Sequence, residues 1–587
     1  MKLGTCGYDN DGRQTVMYDG SGGSGWQYDW ADNVTQLVTP QGTMDYVYDQ
    51  WNRQTKLTEG TIETNYSFTN EKLSLITKSS DGVATALGYD NYGRLTEKND
   101  GATRTIYGYD TNDRVNSIVH SKTVGGQTLH QESYNYDPAN NLNWKLVNSV
   151  LTSYTYDSID QLKTENSSSL SNTYNYDNNG NRTSRISNAG TDTYTYDYGD
   201  KLTGITRSYG ASSTYTYDYC GRTSTIAGPG GTRIFNWDFE DRLTSISGGG
   251  VPSTTYGYNG VGSRVSKSNT QGTRTYKRNG VGVTAPVLSD GVATMVPGIS
   301  EKSGGVTSTI LSDRMGSMKG MANAGTVTET AEFDAFGKVI ARTNPSATQK
   351  GFAGGFGYQE DGETGYKLLG HRYYDADTGR FLSRDRAFAG RNWYDYVGNS
   401  PLRYADPTGE VRIDIAGGAA VLKGTDVAGA LAVRPLVVPQ FLKTIAAMGA
   451  AIGGYLSFLL PDSDRTSDRD KESERDKGRK KKKEEGPMVY RVAGKEEAAA
   501  TAANGGRPVP SPSYENEKPF WANAESAMAY QQLAARGFGD TETVILAFPN
   551  PFNVGRKGIN MDGFPTIMVP NPDLNKLGPA FTFPTKI

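Results

Sequence analysis

An aromatic-x-aromatic-Asp tetrad recurs through the first 260 residues, and it constrains the fold more than any other feature. The tetrad, or a degenerate form of it, ends at Asp29, Asp49, Thr69, Asp90, Asp110, Asp137, Asp157, Asp177, Asp197, Asp218, Asp238 and Asn259. Neighbouring landmarks stand 20 or 21 residues apart, with one interval of 27 between Asp110 and Asp137. A fixed period of that length marks one supersecondary unit repeated side by side.

Each unit has its own grammar: Tyr-x-Tyr-Asp, a few turn residues, then Gly-Arg-Leu-Thr or a variant such as NYGRLT (91–96), NNGNRTS (178–184), YCGRTS (219–224) or EDRLTS (240–245). Alternation along a strand puts the rings of Tyr174 and Tyr176 on one face. Asp177 opens a turn through its side-chain acceptor, Gly180 supplies the left-handed position, and Arg182 starts the return strand. One repeat is therefore a β-hairpin. A hairpin this small cannot bury a face by itself, so neighbours must pair into a long curving sheet.

Composition agrees. Gly (71) and Pro (24) make up about one residue in six, Tyr alone is 37, and apolar residues are only 35% of the 587, against about 45–50% in ordinary globular chains. That balance disfavours a helical or doubly wound enzyme and suits short strands joined by tight turns. The low apolar fraction fits a shell whose inner face lines a cavity. A net charge of −3, from 61 basic and 64 acidic residues, gives no field to attract nucleic acid over the whole chain. Two distant cysteines, Cys6 and Cys220, make no disulfide framework, and His120, His130 and His371 are too scattered for a His-rich metal site. The first residues, MKLGTCGYDNDGR, carry no basic-then-apolar leader pattern.

On the Tyr-Asp motif and its period, residues 1–410 resemble the Rhs/YD-repeat family, which includes the C components of insecticidal Tc toxins and, more distantly, the teneurins. The resemblance implies a mainly β fold, a spiral shell of β-hairpins that closes around a polypeptide cargo, and needs no cofactor for the shell. Repeats would occupy residues 1–309. The segments LSDRMGSMKGMANAGTV (311–327), AEFDAFGKV (331–339), GYQEDGETGYKLLGHRYYDADTGRFLSRD (357–385) and NWYDYVGNSPLRYADPTGE (392–410) are similar to the Rhs-associated core, here residues 310–410. In that family an Arg and two Asp of the core sever the downstream chain. By position they are Arg372, Asp385 and Asp406, which implies a cut just after Gly409. Two carboxylates that share a proton supply a base toward water and an acid toward the scissile amide. The chain departs from the family's Asp-Pro-Ile-Gly at Asp385-Arg386-Ala387-Phe388, and it carries Glu410 where the family usually has an apolar residue. A plain turn at Asp406–Gly409 and a surface charge at Asp385 are the bland alternative.

Beyond the core the composition shifts three times. Residues 411–464 are rich in small apolar residues, and Thr444–Leu460 runs 17 residues without a charge, just short of a membrane span. That run reads either as a segment for a target membrane or as a buried apolar piece. Residues 465–487 form a linker whose Arg465–Glu485 part holds 10 basic and 7 acidic residues and nothing apolar. Residues 488–587 read as a small α+β domain with a split sheet. Its expected strands are MVYRVA, KPFWA, TETVILAFP and TIMVP, and its expected helices start near Lys495 and Asn523.

The position and element order of this last domain are similar to bacterial ADP-ribosyltransferase toxins. That resemblance implies NAD as cofactor, with Arg491 orienting a phosphate or ribose and Phe520, Trp521 and Asn523 lining the pocket. The family's later Glu is missing after Glu542, so Asp562 stands in as the catalytic carboxylate. A ribonuclease using Tyr490, Arg491, Lys518 and a carboxylate is a second reading, and a structural Arg491–Glu542 pair is the bland one. With no His in the domain, a His-dependent ribonuclease is excluded.

These expectations describe a toxin carrier, secreted or of the cell envelope, that delivers its effector to a target cell. Its expected partners are its own C-terminal domain as cargo, an immunity protein, and a delivery apparatus or Tc-like B component. The rival class is a YD-repeat surface protein for adhesion or carbohydrate binding. Because the chain begins mid-pattern, a displaced gene end is a third reading.

Overall fold

The computed structural model describes residues 5–344, 351–387, 390–415 and, as strands, 421–422, 488–494, 517–521, 543–549, 556–559, 565–570 and 581–582. Two units are distinguished, Met1–Pro461 and Asp462–Ile587. Each is described by itself.

The first unit opens with a 27-stranded antiparallel sheet running from Thr5–Tyr8 to Gly272–Thr275. Each strand pairs with its neighbours in sequence, so the topology is a succession of hairpins. The repeat starts one unit earlier than the tetrads suggest: Tyr8 ends the first strand, and Asp9 accepts the amides of Asp11 and Arg13.

The turn chemistry explains the motif. Asp177 Oδ1 accepts the backbone N–H of Asn179 (2.9 Å) and of Asn181 (2.9 Å), while Oδ2 accepts the Asn181 side chain (3.0 Å). Gly180 takes φ +81°. Where glycine is absent, Asp or Asn holds the left-handed place, as at Asp32, Asn52, Asp113, Asn140, Asp160, Asp200 and Asp241, because short polar side chains tolerate that region. Those same residues receive the side chain of the preceding repeat. Arg13 reaches Asp32 (2.7 Å), Arg94 reaches Asp113 (2.6 Å), and Asn181 reaches Asp200 (2.7 Å). A polar ladder therefore runs from hairpin to hairpin along one rim.

The second aromatic of each tetrad builds a parallel ladder. Tyr28 donates to the Gln14 carbonyl (2.7 Å), Tyr176 to Leu162 (2.9 Å) and Tyr258 to Leu243 (2.7 Å), while Trp237 does the same to Thr223 through its indole N–H (2.7 Å). Changing Tyr176 to Phe is expected to cost about 1 kcal/mol, the net worth of one such bond. Urea unfolding of the full chain, compared between the two proteins, measures it.

The sheet curls until its ends approach: Asp19 in the first complete hairpin accepts the Gly260 N–H (2.6 Å), and Met17, Trp26, Leu37 and Met44 pack with Val261, Val281 and Leu288. The expected hairpin spiral is the observed fold.

From Lys277 the chain leaves this sheet, earlier than the expected boundary at 310, and forms an eight-stranded sheet (277–343), a four-stranded one (359–381) and a short one at 404–405, 413–414 and 421–422. These strands pack on the inner face of the hairpins. Tyr107, Tyr134, Tyr154 and Tyr174 are buried with Met315, Phe333, Phe336, Phe352, Tyr374 and Tyr396. Phe235, Ile246 and Tyr256 are buried with Tyr366 and Tyr373. This corrects the expectation of an inner face that only lines a cavity: along these hairpins the first Tyr of the tetrad is a core residue, because the core segment brings the apolar side chains the repeats lack. The turn grammar also continues inward, since Asp313 and Asp334 each accept two amides of their own turns.

The second unit holds one six-stranded antiparallel sheet in the order 556–559, 565–570, 517–521, 488–494, 543–549, 581–582. It contains the four expected strands and adds Arg556–Ile559 and Phe581–Thr582. The two expected helices, the uncharged run 444–460 and the linker 465–487 lie outside the described residues. Among the described residues no helix is long and apolar enough to cross a membrane, and no cluster of His, Cys, Asp and Glu is suited to hold a metal ion.

Candidate self-cleavage site

Three local structures bring Arg372, Asp385 and Asp406 together. Arg372 opens the strand Arg372–Asp375, which pairs with Tyr366–Leu369 across a two-residue turn at Gly370 and His371. Asp385 lies beyond the Arg380–Phe381 strand and is fixed by its N–H to the Trp393 carbonyl (2.8 Å). Asp406 follows the Tyr404–Ala405 strand and begins the Asp-Pro-Thr-Gly turn. The two turns dock, with the His371 N–H on the Thr408 carbonyl (2.8 Å).

All three residues are buried, at 4–6% exposure. Arg372 Nη2 stands 3.6 Å from Asp385 Oδ2 and 3.5 Å from Asp406 Oδ2. Its Nη1 donates to the Trp393 carbonyl (3.1 Å), its guanidinium lies over the Phe381 ring (3.6 Å), and its Nε donates to the carbonyl oxygen of Gly409. The other side of that peptide bond is held as well. The Glu410 N–H is bound by Asp406 Oδ1 (3.0 Å) and Thr408 Oγ1 (3.1 Å), and Val411 N–H by the same two atoms (3.0 and 2.9 Å). The Asp406 N–H in turn donates to the Tyr358 hydroxyl (2.6 Å), which is paired with Tyr396 (2.9 Å).

Gly409 adopts φ +72°, and a Cβ there would overlap the Leu369 carbonyl oxygen, so only glycine fits. The Gly409–Glu410 peptide is thus clamped with a cation on its oxygen and a carboxylate on its nitrogen.

Burial pushes Asp385 up to about 7, against the pull of Arg372 and with the repulsion of Asp406. Burial also raises Asp406, again opposed by Arg372. Desolvation thus favours the protonated form of both carboxyls, while the one cation beside them opposes it. The arrangement can polarise a carbonyl, activate a water and protonate a leaving nitrogen.

Spacing alone did not reveal the carbonyl of Gly409 on Arg372, the hydroxyl of Thr408 or the Tyr358–Tyr396 pair; each follows from how the two turns dock. In the second unit Arg491 lies in Met488–Gly494, and Phe520 and Trp521 lie in Glu517–Trp521. These strands are adjacent, with Tyr490 opposite Trp521. Asn523 and Asp562 lie outside the described residues.

The profile of the teneurin YD-shell matches residues 119–276. Among solved structures, a crystal structure of TcdB2–TccC3–TEV superposes at TM-score 0.58 with 17% identity, over 69% of this chain and 25% of that one. TcdB2–TccC3 gives 0.54, 18%, 69% and 26%. A Photorhabdus luminescens Tc holotoxin pore with a mutated TccC3 gives 0.54, 17%, 70% and 24%. This chain spans about a quarter of each of those chains, and at such identity the likeness is one of fold. No curated protein matches. The profile match over residues 119–276 and the shared fold bear out the resemblance to the Rhs/YD-repeat family read from the Tyr-Asp motif.

Proposed function

We propose that this chain is a Tc- or Rhs-like toxin carrier whose core cuts the Gly409–Glu410 bond and so separates the hairpin spiral from a C-terminal effector. The observation that carries the reading is that Arg372 and Asp406 hold the two sides of that one buried peptide bond, with Asp385 beside the same Arg372. Arg372 stabilises the oxyanion, Asp385 takes a proton from the attacking water, and Asp406 hands one to the Glu410 nitrogen. Expression of the full chain and denaturing electrophoresis tests it: two bands are expected, and one band at full length counts against it.

The pH dependence follows from the sign of the shift. Asp385 has a folded value of about 7, above the roughly 3.9 of an unfolded aspartate. The fold therefore favours its protonated form, and its contribution to stability is fully present at low pH and erodes as pH rises toward about 7. As the base toward water Asp385 must be ionised, so the cleavage rate is expected to rise with pH toward about 7, approaching tenfold per pH unit below that point, and to level off above it. Timed quenching after translation without cells, across a pH series, reads this; a rate that falls as pH rises toward that point contradicts it.

For the effector, the reading is an ADP-ribosyltransferase-like domain with Arg491, Phe520, Trp521 and Asn523 at NAD and Asp562 as its carboxylate. It is supported by the adjacency of the two strands that carry Arg491 and Trp521. Labelled NAD with target-cell lysate is expected to give labelled protein, lost by at least about tenfold in Arg491→Ala. Degradation of total RNA without labelling favours the ribonuclease reading instead. The Tc neighbours support a B-like partner chain and an extracellular route; an immunity protein in the producer belongs to the same reading.

A further inference from the structure

The residues just after the cut are more firmly seated than a release site requires. Val411, Ile413 and Ile415 are buried, and the two isoleucines belong to the same apolar cluster as Leu402, Tyr404 and Met315. Ile413–Asp414 pairs antiparallel with Tyr404–Ala405, and Ile415 N–H donates to the Arg403 carbonyl (2.9 Å). Arg403 Nε meets Asp414 Oδ2 at 3.1 Å, while Arg403 Nη1 reaches Asp160 Oδ2 of the hairpin sheet at 3.4 Å. These contacts lie on both sides of Gly409–Glu410, and none requires that bond.

We propose that Val411–Ile415 is an anchor strand that keeps the downstream fragment docked on Arg403–Asp406 after the chain is cut. The proposal rests on the cleavage reading above. Hydrolysis adds the water oxygen to the Gly409 carbonyl carbon as the C–N bond breaks. Both water hydrogens end on the Glu410 nitrogen, leaving a carboxylate on Gly409 and an ammonium on Glu410. Each new charge already has its counter-ion in place: Arg372 Nε on the Gly409 oxygen, and Asp406 Oδ1 at 3.0 Å from the Glu410 nitrogen. The cut therefore turns a covalent strap into a paired, buried strand with a charged end. Severing the chain and freeing the fragment are then two separate steps, and the second waits on whatever unseats this strand.

The test uses the full chain. Wild-type protein is run on a denaturing gel, to see the cut, and by gel filtration under native conditions, to see whether the fragment stays. Two variants follow, Ile413→Ala with Ile415→Ala, and Arg403→Met, which keeps the bulk and removes the ion pairs. The expected result is a cut and retained wild type, with fragment loss on dilution at least about tenfold faster in both variants. Retention equal to wild type in both would overturn the proposal, since enclosure alone would then hold the fragment. Immediate loss from wild type would overturn it too. If the denaturing gel shows no fragment, the cleavage reading fails, and hydrogen exchange tests the seat alone: slow exchange at the Val411 and Ile415 amides supports it, and exchange at free-peptide rates overturns it.

Discussion

Changing Asp385 or Asp406 to Asn is expected to leave the expressed chain uncut, with fragment formation slowed by about 10²–10⁴-fold, the usual worth of a positioned general acid or base. The two substitutions should not add. Each breaks the same device around Arg372 Nη2, so the double variant is expected to be about as slow as either single one. Asn is nearly isosteric and its side-chain oxygen can still accept the Ala387 or Glu410 amide, so the fold should persist. Circular dichroism beside the denaturing gel separates lost chemistry from lost structure. Unchanged cleavage in either variant would remove that carboxylate from the mechanism.

Changing Arg264 to Ala is expected to cost the first unit about 3–5 kcal/mol, the usual penalty for stripping one partner from a buried ion pair. Arg264 is fully buried on the return strand Arg264–Asn269, and it donates to Asp361 (2.7 Å), Gln359 (2.8 Å) and the Tyr373 hydroxyl (2.9 Å). It ties the hairpin sheet to the strands that lead directly to Arg372. Without it, Asp361 is left with Lys267 Nζ, at 3.4 Å, as its cationic neighbour among the described residues. A double change, Arg264→Met with Asp361→Leu, removes both charges and should recover much of the loss. Denaturant unfolding of wild type, Arg264→Met, Asp361→Leu and the double variant measures the cycle; a cost under about 1 kcal/mol for Arg264→Ala would show that the pair is effectively solvated.

The hairpins were legible in the sequence because their causes are local. An Asp that caps its own turn, a left-handed Gly or Asn three residues on, and paired aromatics on one face all act within one repeat. Asp9 escaped notice because Cys6-Gly7-Tyr8 offers one aromatic instead of two, although Asn10-Asp11-Gly12-Arg13 has the full turn grammar. What binds one repeat to the next was not legible. The reach of Arg94 to Asp113, or of Tyr176 to the Leu162 carbonyl, depends on hairpin stacking and has no signature inside the unit. The filled inner face was missed for a similar reason. Met315 and Phe336 stand far along the chain from Tyr134 and Tyr174, and only the inward return of the core brings them together. For the candidate site, motif resemblance supplied Arg372, Asp385 and Asp406. The clamp on Gly409–Glu410 needed the docking of two turns, one held open by Gly370 at φ +52° and the other by Gly409.

The central claim is that this chain cuts itself at one bond, and the intact mass of the purified product under denaturing conditions tests it most directly. The expected spectrum contains two species whose masses correspond to residues 1–409 and 410–587, with Glu410 as the new N-terminus. A single species at the full 63.6 kDa, or a cut at any other bond, would contradict it.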